Sequence, residues 1–224
     1  MSITKRAWVG TAQLLVVMTV AVFLPAGTLD WWQGWLFLGA FFVPVLGINA
    51  YLLRHDPALI ERRLRAGPAA ETRLTQKIIQ GVAALIFLGI LVVPALDHRF
   101  GWSAAPAWVP IAGDLLVVAS LSGIFVVFRE NTYTSATVQV AQDQRVISTG
   151  PYRIVRHPMY SAALLLFVGT PLALGSFVGL VFFVPILLAI VWRLVDEERL
   201  LARELAGYEE YRQTVRFRLV PRVW

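Results

Sequence analysis

The chain has no cysteine, three histidines and only 15% charged residues in 224. Without cysteine there is no disulfide framework, no thiolate nucleophile and no cysteine metal site. The histidines, at 55, 98 and 157, are too scattered for a three-histidine zinc site without carboxylate help. The sequence holds no GxGxxG after a strand, no Gly-Lys-Ser/Thr phosphate loop and no HExxH. A soluble domain carries about 25% charged residues, so this chain is short of solvating surface.

What is present is apolar length. Hydrophobic residues make up 58% of the chain, and they gather in runs long enough, about 18–25 residues, to cross a bilayer. Spans are expected near 7–26, 32–53, 78–96 and 107–128. The block 159–192 is too long for one upright helix, since about 34 residues of helix extend roughly 50 Å against a core of about 30 Å. Within it TPLALGS supplies Pro171, Gly175 and Ser176, which predicts a hairpin of two helices. The expected fold class is therefore all-α: a polytopic membrane bundle of four spans plus a C-terminal helical hairpin. Residues 1–128 form the transmembrane part and 129–224 a second, polar-headed region. The N-terminal MSITKRAW resembles the charged start of a signal peptide, but no small-residue cleavage site follows and it reads as the start of a first helix.

A net charge of +6 could suggest nucleic acid, but the arginines are spread as membrane loops rather than along one basic face. If the N-terminus is cytoplasmic, nineteen of the 20 basic residues fall on the inner side and only Arg99 falls outside. That pattern predicts a cell-membrane protein with both termini and its polar regions cytoplasmic. Trp31, Trp32, Trp35, Trp102 and Trp108 suit an outer aromatic belt. Segment 54–77 reads as a surface helix and turn, its charges solvated.

Three polar pieces share the inner side. RENTYTSATVQVAQDQRVISTG (129–150) reads as a loop with a short extended piece, VQV or RVI. GPYRIVRHPMY (150–160) is a polar knot at the mouth of the hairpin. WRLVDEERLLARELAGYEEYRQTVRFRLVPRVW (192–224) leaves the hairpin as an amphipathic tail. Arg193 and Glu197 are four apart and share a helix face; they read equally as a snorkelling end cap or as functional intramembrane charges. His157-Pro158 reads as a helix start, because proline suits a first turn. A triad of Ser148 or Ser161 with His157 and Asp196 can be drawn, but no spacing favours it.

RHPMY, the glutamate pair about 37 residues later in EERLL, then GYEEY and an arginine-rich VRFRLVP resemble the isoprenylcysteine carboxyl methyltransferases. The pattern is also similar to their bacterial and archaeal relatives and, more distantly, to phospholipid N-methyltransferases. The resemblance covers 129–222. It implies S-adenosylmethionine as cofactor, in a cytoplasmic pocket closed by the tail. It implies cofactor contacts from Gln144, Arg145, Val146 and Ile147, from Tyr152, His157, Pro158, Met159 and Tyr160, and from Glu197. Arg193 would belong to the substrate site as the catalytic residue. Thr137 stands where a relative has a cofactor-contacting glutamine, so that contact does not carry over.

These residue types suit the cofactor. Glu197 can hold an amino group or ribose, His157 or a nearby amide a carboxylate, and tyrosine faces an adenine or a sulfonium. On this reading the knot is held by its charged ligand. The partners expected are a lipophilic or lipid-linked acceptor and membrane lipids, with no nucleic acid and no metal. A carboxylate acceptor would suit a single fixed arginine. An NADPH-dependent sterol-type reductase is the alternative, because its C-terminal region also resembles an Arg-His-Pro-x-Tyr pattern; a non-enzymatic membrane scaffold is a third.

Overall fold

The computed structural model describes residues 1–64, 66–71, 73–140 and 144–224. They form helices α1 (Ile3–Ala26), α2 (Trp32–His55), α3 (Pro57–Leu64), α4 (Leu74–Phe100), α5 (Trp108–Glu130), α6 (Pro158–Ala173), α7 (Phe183–Glu204) and α8 (Tyr208–Thr214), with short 3-10 turns at 68–70, 150–153 and 178–182. Five helical stretches are long and apolar enough to cross a membrane: α1, α2, α4, α5 and Val178–Glu204. The protein is an all-helical membrane bundle. The helices overrun the expected spans by up to four residues at an end, except that α5 starts one residue later, at Trp108. At α1, Ser2 accepts the Lys5 amide and Gly27 closes the end in the left-handed region.

The hairpin is present but unequal. α6 has 16 residues, about 24 Å, which is less than the thickness of a hydrocarbon core. Gly175 turns the chain at φ 73°, and Asp97 at the end of α4 accepts from Ser176 Oγ and from the Ser103 amide. One carboxylate thereby fixes the hairpin tip and the loop after α4.

The tightest crossing is α5 on α6. A Cβ on Gly113 would stand 2.1 Å from the Ala173 amide nitrogen, and one on Gly169 would stand 2.9 Å from the Gly113 carbonyl. Ser120 Oγ donates to the Ala162 carbonyl at 2.7 Å in the same seam. In lipid, where apolar faces gain little from meeting each other, small residues and interhelical hydrogen bonds are what bring backbones together. Around this seam Val22, Phe37, Leu91, Val117 and Leu174 make the main core.

Two expectations change. Segment 54–77 is a surface helix and turn with Arg54, Glu61 and Lys77 exposed, but it is more packed than a solvated charge run: α3 buries Leu59 and Ile60 beside Ala7, Leu52 and Phe128. Arg63 lies over the Phe128 ring at 5.1 Å and donates to the Ser135 carbonyl, and Glu71 is 3% exposed. Neither VQV nor RVI forms a strand among the described residues, since no neighbouring strand is there to accept a ladder; the Val138 amide donates to Glu71 instead. Residues 141–143 of that loop, Thr72, and Arg65 of the inner basic set lie outside the described residues.

Candidate active site

At the end of the bundle where α4 begins, segments 131–139 and 144–152 meet the start of α6, the second half of α7, and α8. Between them is a pocket of about 880 Å³, counted out to open solvent. It brings together every residue named from the sequence: Gln144 to Ile147, Tyr152, His157 to Tyr160, Arg193 and Glu197 all line it. Gly150 lets the chain reach this position. At φ 54° its absent side chain leaves room for the Glu130 carboxylate, which would lie 2.7 Å from a Cβ there.

Arg193 and Glu197 are not directly paired among the described residues; Tyr160 stands between them. Its hydroxyl donates to Glu197 Oε2 at 2.7 Å and accepts from Arg193 Nε at 3.0 Å. Arg193 then gives Nη1 to Glu71 at 3.1 Å and to Gln76 at 2.8 Å, and Nη2 to the Ala136 carbonyl at 2.8 Å. Four of the five N–H groups of a guanidinium are thus spent inside the chain. Arg193 clamps α7 to α4 and to the 134–138 segment, which itself lines the pocket, so a free cation for a substrate carboxylate is not what its geometry offers.

The next glutamate faces the other way. Glu198 is 4% exposed and receives Arg156 Nε at 2.7 Å and Arg218 Nε at 3.0 Å, with His157 Nε2 at 3.1 Å. Arg156 also donates to the Val215 and Arg216 carbonyls, and the Arg156 and His157 amides donate to Phe217 and Arg218. Where a bound ligand was expected to hold the knot, Glu198 and the tail do so. His157 lines the pocket with its Nε2 already engaged, and Pro158 opens α6 as its first residue.

Tyrosines form the remaining wall. Tyr152 accepts from Asn131 at its hydroxyl and from the Tyr211 hydroxyl at its carbonyl. Burial, reinforced by Glu197 and Glu130 and partly offset by the Asn131 hydrogen bond, pushes its phenol up to about 12, so it is neutral at physiological pH. Tyr208 is 4% exposed, lines the pocket and has no partner for its buried hydroxyl among the described residues. Burial, with Glu198 and Glu197 nearby, pushes that phenol upward too. A buried hydroxyl without a partner costs about 1–3 kcal/mol, and this one belongs to a residue of the pocket wall.

Sequence reasoning missed Glu71, Gln76 and Tyr208. The first two meet Arg193 across more than a hundred residues, and nothing local announces that. Tyr208 did carry a signal: it sits in GYEEY directly after a left-handed Gly207, where a short helix can fold back over a site.

Residues 108–206 match the family model described as phospholipid methyltransferase. The match runs from α5 through α7, includes all eleven residues named from the sequence, and stops short of Tyr208. No curated protein matches the chain. Over α5 to α7 the protein is similar to phospholipid methyltransferases.

Proposed function

We propose that this protein is an integral-membrane, S-adenosylmethionine-dependent methyltransferase acting on a lipophilic acceptor. The observation that carries the reading is the pocket built mostly from the matched segment, where a carboxylate (Glu197) lies among tyrosines and polar side chains, with Tyr208 and Tyr211 of α8 completing the wall from outside the match. These residues fit the cofactor. Glu197 and Tyr208 suit an amino group and a ribose or carboxylate, and the faces of Tyr152, Tyr160 and Tyr211 suit an adenine or a sulfonium. When bound, the cofactor supplies an electrophilic methyl group for in-line displacement.

The chain's own task is then alignment and exclusion of water. Tyr160 fixes the Glu197 carboxylate, Arg193 fixes Tyr160, and α8 adds Tyr208 and Tyr211 to the wall. For the acceptor, the family match favours an amine of a phospholipid headgroup. The commitment of Arg193 to four internal acceptors weighs against its serving a carboxylate, although a carboxylate acceptor of the isoprenylcysteine type is the second reading. The distribution of basic residues favours a cytoplasmic pocket.

The test is calorimetry of S-adenosylhomocysteine, the demethylated product, with the detergent-purified protein. Micromolar binding lost in E197A supports the reading. A folded protein that ignores S-adenosylhomocysteine and is stabilised by NADPH would replace it with the reductase. Radiolabelled methyl transfer to phosphatidylethanolamine or to a prenylcysteine would then separate the two acceptors.

A further inference from the structure

A second concavity lies on the side of α7 away from the pocket, about 640 Å³ in volume, again counted out to open solvent. Arg199 and Arg203 on α7, Arg212 on α8 and Arg218 in the tail line it, with Glu198 behind them. The nearby acids are already used. Glu198 is shared by Arg156, His157 and Arg218, and Glu209 holds Arg212 at 2.7 Å. No carboxylate among the described residues lies within ion-pair distance of Arg199 or Arg203. These two stand one turn apart on one helix face, an arrangement of like charges that disfavours the helix unless an anion joins them.

The concavity also sits at a particular depth. Trp192, half exposed, ends the apolar part of α7, and Arg199 follows it by about 10 Å along the axis. Beside them the tail turns back: Trp224 packs on the cluster of Ile190 and Leu194 and under the Arg218 guanidinium at 4.8 Å, while Val220 and Val223 remain exposed. Aromatic and aliphatic groups at one level with unpaired arginines just beyond it mark the boundary between hydrocarbon and headgroups.

We propose that this concavity is a binding site for a phosphate-bearing anion, held by Arg199 and Arg203 with Arg212 and Arg218 at its edge. Its depth favours the phosphate of an anionic lipid headgroup, and soluble phosphate shares the same chemistry. The site is separate from the pocket and does not depend on what the pocket binds.

The test is native mass spectrometry of the full-length protein after adding phosphatidylglycerol or phosphatidylcholine. Phosphatidylglycerol should be retained in preference. That preference should fall about fivefold in R199Q or R203Q and about twenty-fivefold in the double variant. R222Q, which removes an exposed tail arginine outside the concavity, should leave it unchanged. Melting in phosphatidylcholine alone reports that each variant is folded. Added inorganic phosphate assigns the source: competition at millimolar levels indicates a site for free phosphate, and indifference to it a headgroup site. An undiminished preference in the double variant, or an equal loss in R222Q, overturns the proposal.

Discussion

Glu197 and Glu198 are neighbours on α7 with opposite duties: the first receives the Tyr160 hydroxyl at the pocket wall, and the second gathers Arg156, His157 and Arg218 under the tail. Successive helix positions point about 100° apart, so one dipeptide faces the pocket on one side and holds the tail on the other.

Conservative changes should separate the two. Glu197→Gln should leave the melting temperature nearly unchanged and weaken S-adenosylhomocysteine binding at least tenfold by calorimetry. Glu198→Gln leaves buried arginine without its counter-charge and should cost about 3 kcal/mol of stability, read as a large drop in melting temperature in detergent. Equal melting temperatures would assign Glu198 no part in holding the tail.

Tyr208→Phe removes only an oxygen that has no partner among the described residues. Stability should stay level or rise slightly, while affinity for S-adenosylhomocysteine falls by about two- to tenfold, the worth of one hydrogen bond. Unchanged affinity would exclude the Tyr208 hydroxyl from the ligand's contacts.

On the proposed function Arg193 is a positioning residue, and Arg193→Lys cannot reproduce its planar fork. The expected result is a fall in kcat of ten- to a hundredfold, about 1.4–2.7 kcal/mol, with cofactor affinity within about threefold. Glu71→Gln, which touches Arg193 and the Val138 amide, should shift kcat in the same direction. If Arg193→Lys instead raises only the acceptor KM, direct substrate contact is the better account.

Gly113→Ala should be among the most damaging single changes, because its Cβ would enter the α6 backbone. Loss of more than about 3 kcal/mol, or failure to recover folded protein, is expected. Gly47→Ala meets nothing within 4 Å and should stay within about 1 kcal/mol of the parent by helix propensity alone. Comparable yields and melting temperatures for the two variants would deny the close crossing.

The spans were legible because hydropathy is a local property that the bilayer reads over some twenty residues. The knot, the glutamate pair and their approach to one another were legible as a motif. The partition within that motif was not: which glutamate meets Tyr160 depends on the rotation of α7, which is set by Leu194, Ile190 and Ile186 packing inward. Glu71 looked like one more loop charge because the residues that desolvate it, Arg193, Gln80 and the Val138 amide, lie mostly far away in the chain. VQV looked extended because β-branched residues favour strands, yet a lone segment without a ladder partner settles its amides on side chains.

The order in which the chain is made also bears on the knot. Arg156 finds its carbonyl acceptor at Val215, 59 positions later, and synthesis proceeds at about 5–20 residues per second. For roughly 3 to 12 seconds a charged, half-finished mouth must therefore wait at the translocation machinery while α6 and α7 are already entering lipid. Glu198, 42 positions after Arg156, is made before that carbonyl, so Arg156 meets its counter-charge first and waits for the tail afterwards. Quality-control proteases and insertion chaperones would meet the nascent protein then, and slowing translation across 156–215 should lower the yield of folded protein more than slowing it anywhere in α1 to α4.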